Sequence, residues 1–142
     1  MWYIDTKRRK AVYEKAYKQD TEDPSKSHGI EVALSYKKGG PNPFGGGYEQ
    51  GGYELKVNPI TKHDRGDYAM KSFIGGVGGR KLVKQSDRYN AKTLERLAER
   101  INPETIAREF EELGGDPKND EPFTQENVFK TILHNAYIEA VK

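Results

Sequence analysis

The sequence predicts an α+β domain: an antiparallel sheet of three to four strands, a meander, with an N-terminal helix and three C-terminal helices. Three observations carry this expectation. Apolar and polar residues alternate in several short runs between residues 30 and 86. Apolar residues recur at helical spacing from about residue 91 onward. The runs in the middle are joined by short turns, whereas parallel pairing needs longer crossovers. A chain of 142 residues is about one domain. It divides into an N-terminal helix and connection (1–29), a sheet (30–86) and a helical part (87–142).

The first helix is expected to start near Asp5 or Thr6, with Val12, Tyr13, Ala16 and Tyr17 as its apolar face. Lys7, Arg8, Arg9 and Lys10 would then fill its first turn, the wrong sign for the helix dipole. Residues 19–29 read as a polar, turn-rich connection. Ile30, Val32, Leu34 and Tyr36 alternate with Glu31, Ala33 and Ser35, the period of a half-buried strand, and Tyr53, Leu55 and Val57 repeat it. A third run holds Tyr68, Met70 and Ile74 on one face, and a fourth, shorter one spans residues 80–85.

Leu94, Leu97, Ala98 and Ile101 mark the next helix. Asn102 is placed to cap the following one, with Pro103 at its first position, Ile106, Ala107, Phe110 and Leu113 as its stripe, and Gly114-Gly115 as its stop. The last helix takes Thr124 as N-cap, with Phe123 and Val128 as a hydrophobic staple.

Charged residues make up 32% of the chain and hydrophobic ones 34%, so a heavily solvated surface covers a modest core. The absence of cysteine excludes disulfides, thiolate metal sites and cysteine nucleophiles. No run resembles a signal peptide or approaches the roughly 18 apolar residues of a membrane span, so the expected location is cytoplasmic, away from membranes. The net charge of +2 is unevenly spread: +4 over residues 1–18, −3 over 19–36, +6 over 37–102 and −5 over 103–142. Such asymmetry suits a polyanion on one side and a basic partner on the other, or mutual neutralisation within the fold.

Two stretches are candidate binding sites. FIGGVGGRKLVK (73–84) lacks the hydroxyl of a phosphate-binding P-loop and the strand–helix setting of a dinucleotide fingerprint. Backbone amides at Gly78 and Gly79, beside Arg80, Lys81 and Lys84, form a candidate anion contact. The plainer reading is a glycine-built hairpin turn. The second stretch, residues 37–52, holds seven glycines and two prolines. Lys37 and Lys38 would track a phosphate backbone, while Tyr36, Phe44, Tyr48 and Tyr53 would stack on bases or anchor a protein partner, or fold back onto the core.

The predicted order of helix, three strands, glycine-rich turn, basic cluster and helix is loosely similar to that of double-stranded-RNA-binding domains. The similarity implies phosphate contacts from the stretch Gly78-Gly79-Arg80-Lys81-Leu82-Val83-Lys84. The spacing of the basic residues, the long loop and the two added helices depart from that pattern.

No catalytic constellation stands out. His28, His63 and His134 are scattered without metal-ligand spacing, and His63-Asp64 are adjacent residues of a turn. No catalytic residues, cofactor or metal are expected. The leading expectation is a non-catalytic protein that binds nucleic acid or a nucleic-acid-processing complex through a basic, glycine-rich surface. The alternative is a small accessory or inhibitor protein, of the kind phages and mobile elements direct at host machinery, with Glu104, Glu109, Glu111 and Glu112 facing a basic partner. A third reading is a binder of a small phosphorylated ligand.

Overall fold

A computed structural model describes residues 2–41, 44–49, 51–63, 68–70, 80–81, 88–116 and 125–141. The architecture is α+β, an antiparallel sheet with three helices. The sheet contains β1 (Tyr3–Asp5), β2 (Lys10–Gln19), β3 (Lys26–Lys37), β6 (Gly52–His63) and β7 (Tyr68–Met70) in that spatial order, and β8 (Arg80–Lys81) shares an edge of β6. Between β3 and β6 the chain leaves the sheet as a small two-stranded ribbon, β4 (Gly40–Pro41) and β5 (Tyr48–Glu49). The helices are α1 (Ala91–Arg100), α2 (Pro103–Glu112) and α3 (Glu126–Val141). None among the described residues is long and apolar enough to cross a membrane.

The expected N-terminal helix is a β-hairpin instead. Asp5, read as a possible helix start, does accept the N–H groups of residues two and three ahead, Lys7 at 3.1 Å and Arg8 at 3.0 Å. It does so to close the turn between β1 and β2. Val12, Tyr13, Ala16 and Tyr17 suggested a helical face by their spacing, but Val12 and Tyr13 are neighbours on one strand. They lie instead on opposite faces of one strand, and both are buried, Tyr13 on the helix side and Val12 on the other. β-branched and aromatic residues suit such a pleated surface. With a hairpin at the N-terminus, the similarity to the double-stranded-RNA-binding element order lapses.

The strands of the centre are longer than expected. β3 begins at Lys26 within the supposed connection, which shrinks to the turn 20–25. Asp20 accepts from the N–H groups of Glu22 (2.8 Å) and Asp23 (3.1 Å) there. A bulge shifts the β2–β3 register between Ala16 and Lys18, and the β2 backbone then sits directly on Gly29.

The three helices cover one face of the sheet. Ile30, Val32, Leu34, Leu55 and Val57 meet Leu94, Leu97, Ile106, Phe110, Phe129 and Ile132 in one core. The ring centroids of Phe110 and Phe129 are 4.8 Å apart, joining α2 to α3. Asn102 caps α2 as expected, accepting from Glu104 (3.1 Å) and Thr105 (3.2 Å) with Pro103 behind it. Gly114, at φ 82°, ends the helix: its N–H donates to Glu111 and that of Gly115 to Phe110. Thr124 and Phe123, the expected cap and staple of α3, lie outside the described residues, as do the later parts of the third and fourth apolar runs.

A candidate polyanion-binding end of the sheet

Basic residues from four separate stretches of the chain meet at one end of the sheet. The β1–β2 turn supplies Lys7, Arg8 and Arg9, and β2 opens with Lys10. The turn is tied to the end of β3 by the Tyr36 N–H, which donates to the Arg9 carbonyl at 2.9 Å. Lys37 and Lys38 follow at once. The backbone of Arg80 and Lys81 pairs with Leu55 and Glu54, at the start of β6. Arg88 precedes Tyr89, whose ring lies under Arg9, and α1 begins two residues later, after its N-cap Asn90. The positive end of the α1 dipole adds to the same field.

The opposite end of the sheet carries the acidic turn Asp20, Glu22 and Asp23. Lys18, Lys26 and Lys62 stand at that same end, and Lys26 reaches Asp23 at 3.8 Å.

Arg9 is held in an unusual way. Its φ of 58° is left-handed, which costs a non-glycine residue roughly 1–2 kcal/mol. Its guanidinium lies 5.5 Å from the Tyr89 ring centroid and 6.0 Å from that of Tyr36, contacts that return part of that cost. Beneath it, Tyr36 packs edge-on against Tyr53 at 5.3 Å, and the Tyr53 hydroxyl donates to the Asn90 carbonyl at 2.9 Å. Tyr36 is 7% exposed and Tyr53 fully buried. Both were stacking candidates, and both instead form the floor that supports the basic turn. Phe44, in contrast, is 96% exposed at the far end of the ribbon. Tyr48 lies in β5.

Lys37 and Lys56 share one acid. Glu54 meets the Lys37 ammonium at 3.0 Å and the Lys56 ammonium at 3.4 Å. Burial by itself raises the Glu54 carboxyl, but the Lys37 hydrogen bond and the two ammonium charges outweigh it and hold the group below the ordinary glutamate range. Arg8 reaches Asp5 at 3.7 Å. Lys7, Arg9, Lys10 and Lys38 form no ion pair among the described residues. Gly78, Gly79 and Lys84 lie outside the described residues, so of the glycine-rich candidate only the backbone of Arg80 and Lys81 is placed here.

On the face away from the helices, Glu31 is 5% exposed and stands directly across from Glu14. Burial, and then the Glu14 charge, push its carboxyl up, with Lys10 opposing in part.

Sequence reasoning passed over His28. Its ring is buried between the acidic turn and β6, with Nε2 2.7 Å from Asp20 Oδ2 and Nδ1 3.0 Å from Thr61 Oγ1. The row contains the residue types of an acid–base relay. Both ring nitrogens are engaged within it, however, leaving no lone pair for a substrate, so it staples the β2–β3 turn to the sheet. Only the register, His28 opposite Thr61, brings these groups together.

Two shallow cavities flank the start of α2, one of about 270 Å³ beside Trp2 and Glu99, the other of about 300 Å³ between Lys15 and Arg108. The glutamates of α2 are in part engaged locally, Glu112 with Arg108 at 3.7 Å and Glu109 with Asn135 at 3.5 Å. No protein-family model, curated protein or solved structure matches the chain.

Proposed function

We propose that this protein binds nucleic acid, alone or within a nucleic-acid-processing complex, as a non-catalytic factor working through the basic end of its sheet. The observation that carries the reading is the convergence of Lys7–Lys10, Lys37–Lys38, the Arg80–Lys81 backbone and Arg88 on that end. A polyanion is the natural complement to a cluster of cations of this kind. The buried tyrosines hold the basic turn in place before any ligand arrives, which lowers the ordering cost of binding.

The affinity would be dominated by counterion release. Engaging the cations without an ion pair (Lys7, Arg9, Lys10 and Lys38) at about 0.9 per phosphate gives a slope of log K against log salt of about −3.6. Raising salt from about 50 to 200 mM should then weaken binding by about 150-fold. Fluorescence anisotropy with labelled single- and double-stranded DNA and RNA would read this directly. A Lys7→Ala/Lys38→Ala double variant should lower the slope by about 1.8. Absence of binding to every probe at low salt, or a slope unchanged in the double variant, would refute the reading and turn attention to a protein partner.

A further inference from the structure

We propose that the sheet holds a hard divalent cation, Mg²⁺ or Ca²⁺, on the face away from the helices, with Glu31 and Glu14 as its carboxylate ligands and Asn58 beside them. The site stands apart from the basic end and does not depend on the nucleic-acid reading.

The strand register builds it. Glu14 of β2 is opposite Glu31 of β3, and Glu31 is opposite Asn58 of β6, so the three form one row across adjacent strands. Directly paired residues share a face, with Cβ atoms about 4.5–5.5 Å apart. Glu31 is the floor of the row at 5% exposed, while Glu14 and Asn58 are half-buried at its rim. Among the described residues, none of the three side chains makes a hydrogen bond or an ion pair.

The surroundings offer little compensation. The adjoining rows are Val12, Ala33 and Lys56 on one side and Ala16, Gly29 and Ile60 on the other. Lys56, the cation among them, is 3.4 Å from Glu54. Lys10 stands four residues before Glu14 on β2, about 13 Å away along the strand, and offsets the Glu14 charge on Glu31 only in part. Like charges directly opposite on a sheet repel, and a buried carboxylate without a partner is costly.

Two carboxylates and an amide, with no imidazole or thiolate, are the donors that hard cations select. Mg²⁺ in particular is held by one or two carboxylates while keeping much of its water. Glu31 and Glu14 bind the ion directly, and the Asn58 amide oxygen accepts from one of its waters at the half-exposed rim. The ion joins β2, β3 and β6 at one rung and cancels the repulsion there. Burial also selects the occupant: the Glu31 carboxylate is within reach of a small ion, not of a lysine or arginine from another chain.

The test uses the full chain, stripped of metal with a chelator, without nucleic acid and at matched ionic strength. Mg²⁺ or Ca²⁺ at about ten times its dissociation constant should raise the melting temperature at pH 7 by about 5 °C. Mn²⁺, whose free-ion electron paramagnetic signal is lost on binding, should titrate to one site per chain. Glu31→Gln keeps the shape of the side chain and should melt at or above the metal-free wild type, yet lose both the shift and the Mn²⁺ site. Glu14→Gln should weaken Mn²⁺ binding by more than about tenfold. Glu22→Gln, an exposed acid of the 20–25 turn, should change neither readout. Mn²⁺ affinity should fall from pH 7 to pH 5, because the carboxyls must be ionised to bind. No shift with Mg²⁺ or Ca²⁺ at about 10 mM, weaker than the weakest calcium modules, overturns the inference. So does a shift that survives in Glu31→Gln, or a response to Zn²⁺ alone. A melting temperature that rises on acidification with no response to any ion also overturns it, and makes a proton shared by Glu14 and Glu31 the occupant.

Discussion

Gly29 offers a sharp test of the packing at the β2 bulge. A Cβ at this position would lie 1.7 Å from the Lys15 carbonyl oxygen, 2.6 Å from its carbon and 2.7 Å from the Ala16 Cα. All three are backbone atoms, so no side-chain rotation relieves the clash. To reach ordinary contact the strands must part by about 1.5–2 Å at this rung, with an overpacking cost of about 1–3 kcal/mol. Separation on that scale also breaks one or two ladder hydrogen bonds, at about 1 kcal/mol each. Gly29→Ala should therefore lose about 2–5 kcal/mol, which for a domain of this size is a melting temperature lower by about 7–17 °C. Gly40→Ala is the control, since no atom lies within 4 Å of its Cβ position. It should be neutral or slightly stabilising, by up to about 1 kcal/mol, through the unfolded chain. Thermal and urea unfolding followed by circular dichroism would measure both. A Gly29→Ala protein within about 1 kcal/mol of wild type would refute the seating of the bulge on Gly29.

Three further outcomes are expected. Glu31 has a raised pKa, so the native state holds its proton better than the unfolded chain does, and stability falls as pH rises from the ordinary glutamate value through the raised one. Glu31→Gln should accordingly melt above wild type at pH 7, with the difference shrinking toward pH 4; a constant difference would remove Glu31 as its source. Asn102→Ala should cost about 0.5–2 kcal/mol in urea unfolding, because two N–H groups of α2 lose their acceptor. Arg9→Gly relieves the left-handed strain while losing the ring contacts, so stability should stay within about 1 kcal/mol. In DNA titrations the same variant should lower the salt slope by about 0.9.

The candidate site was visible in the sequence as a set of charges but not as a place. Lys37, Lys38, Arg80 and Lys81 were singled out from local composition, and the basic run at residues 7–10 from its conflict with a helix dipole. That conflict was informative: four cations are unfavourable at a helix start and unremarkable in a hairpin turn. The aromatic candidates divided because exposure depends on what lies above a residue. Tyr36 and Tyr53 are neighbours across β3 and β6 and are roofed by Tyr89 and Arg9, from stretches far away in the chain. Phe44 has the same aromatic character but is 96% exposed, beyond the β3–β6 pairing.

Local sequence by itself determined the elements whose signals are short-range. The alternation of Ile30–Tyr36 and Tyr53–Val57, the Asn102-Pro103 cap and the Gly114-Gly115 stop each satisfy backbone groups within a few residues, and each is found in the structure. Tertiary structure decided the rest. Whether residues 10–19 became helix or strand depended on an apolar pattern compatible with both periods, and on whether β3 offered them an open edge. Once β2 paired there, Val12 and Tyr13 were each buried on their own face and the backbone groups of the segment were satisfied by the sheet. The same pairing carried the basic turn to Tyr36 and so assembled the charged end, which exists only because strands distant in sequence lie side by side.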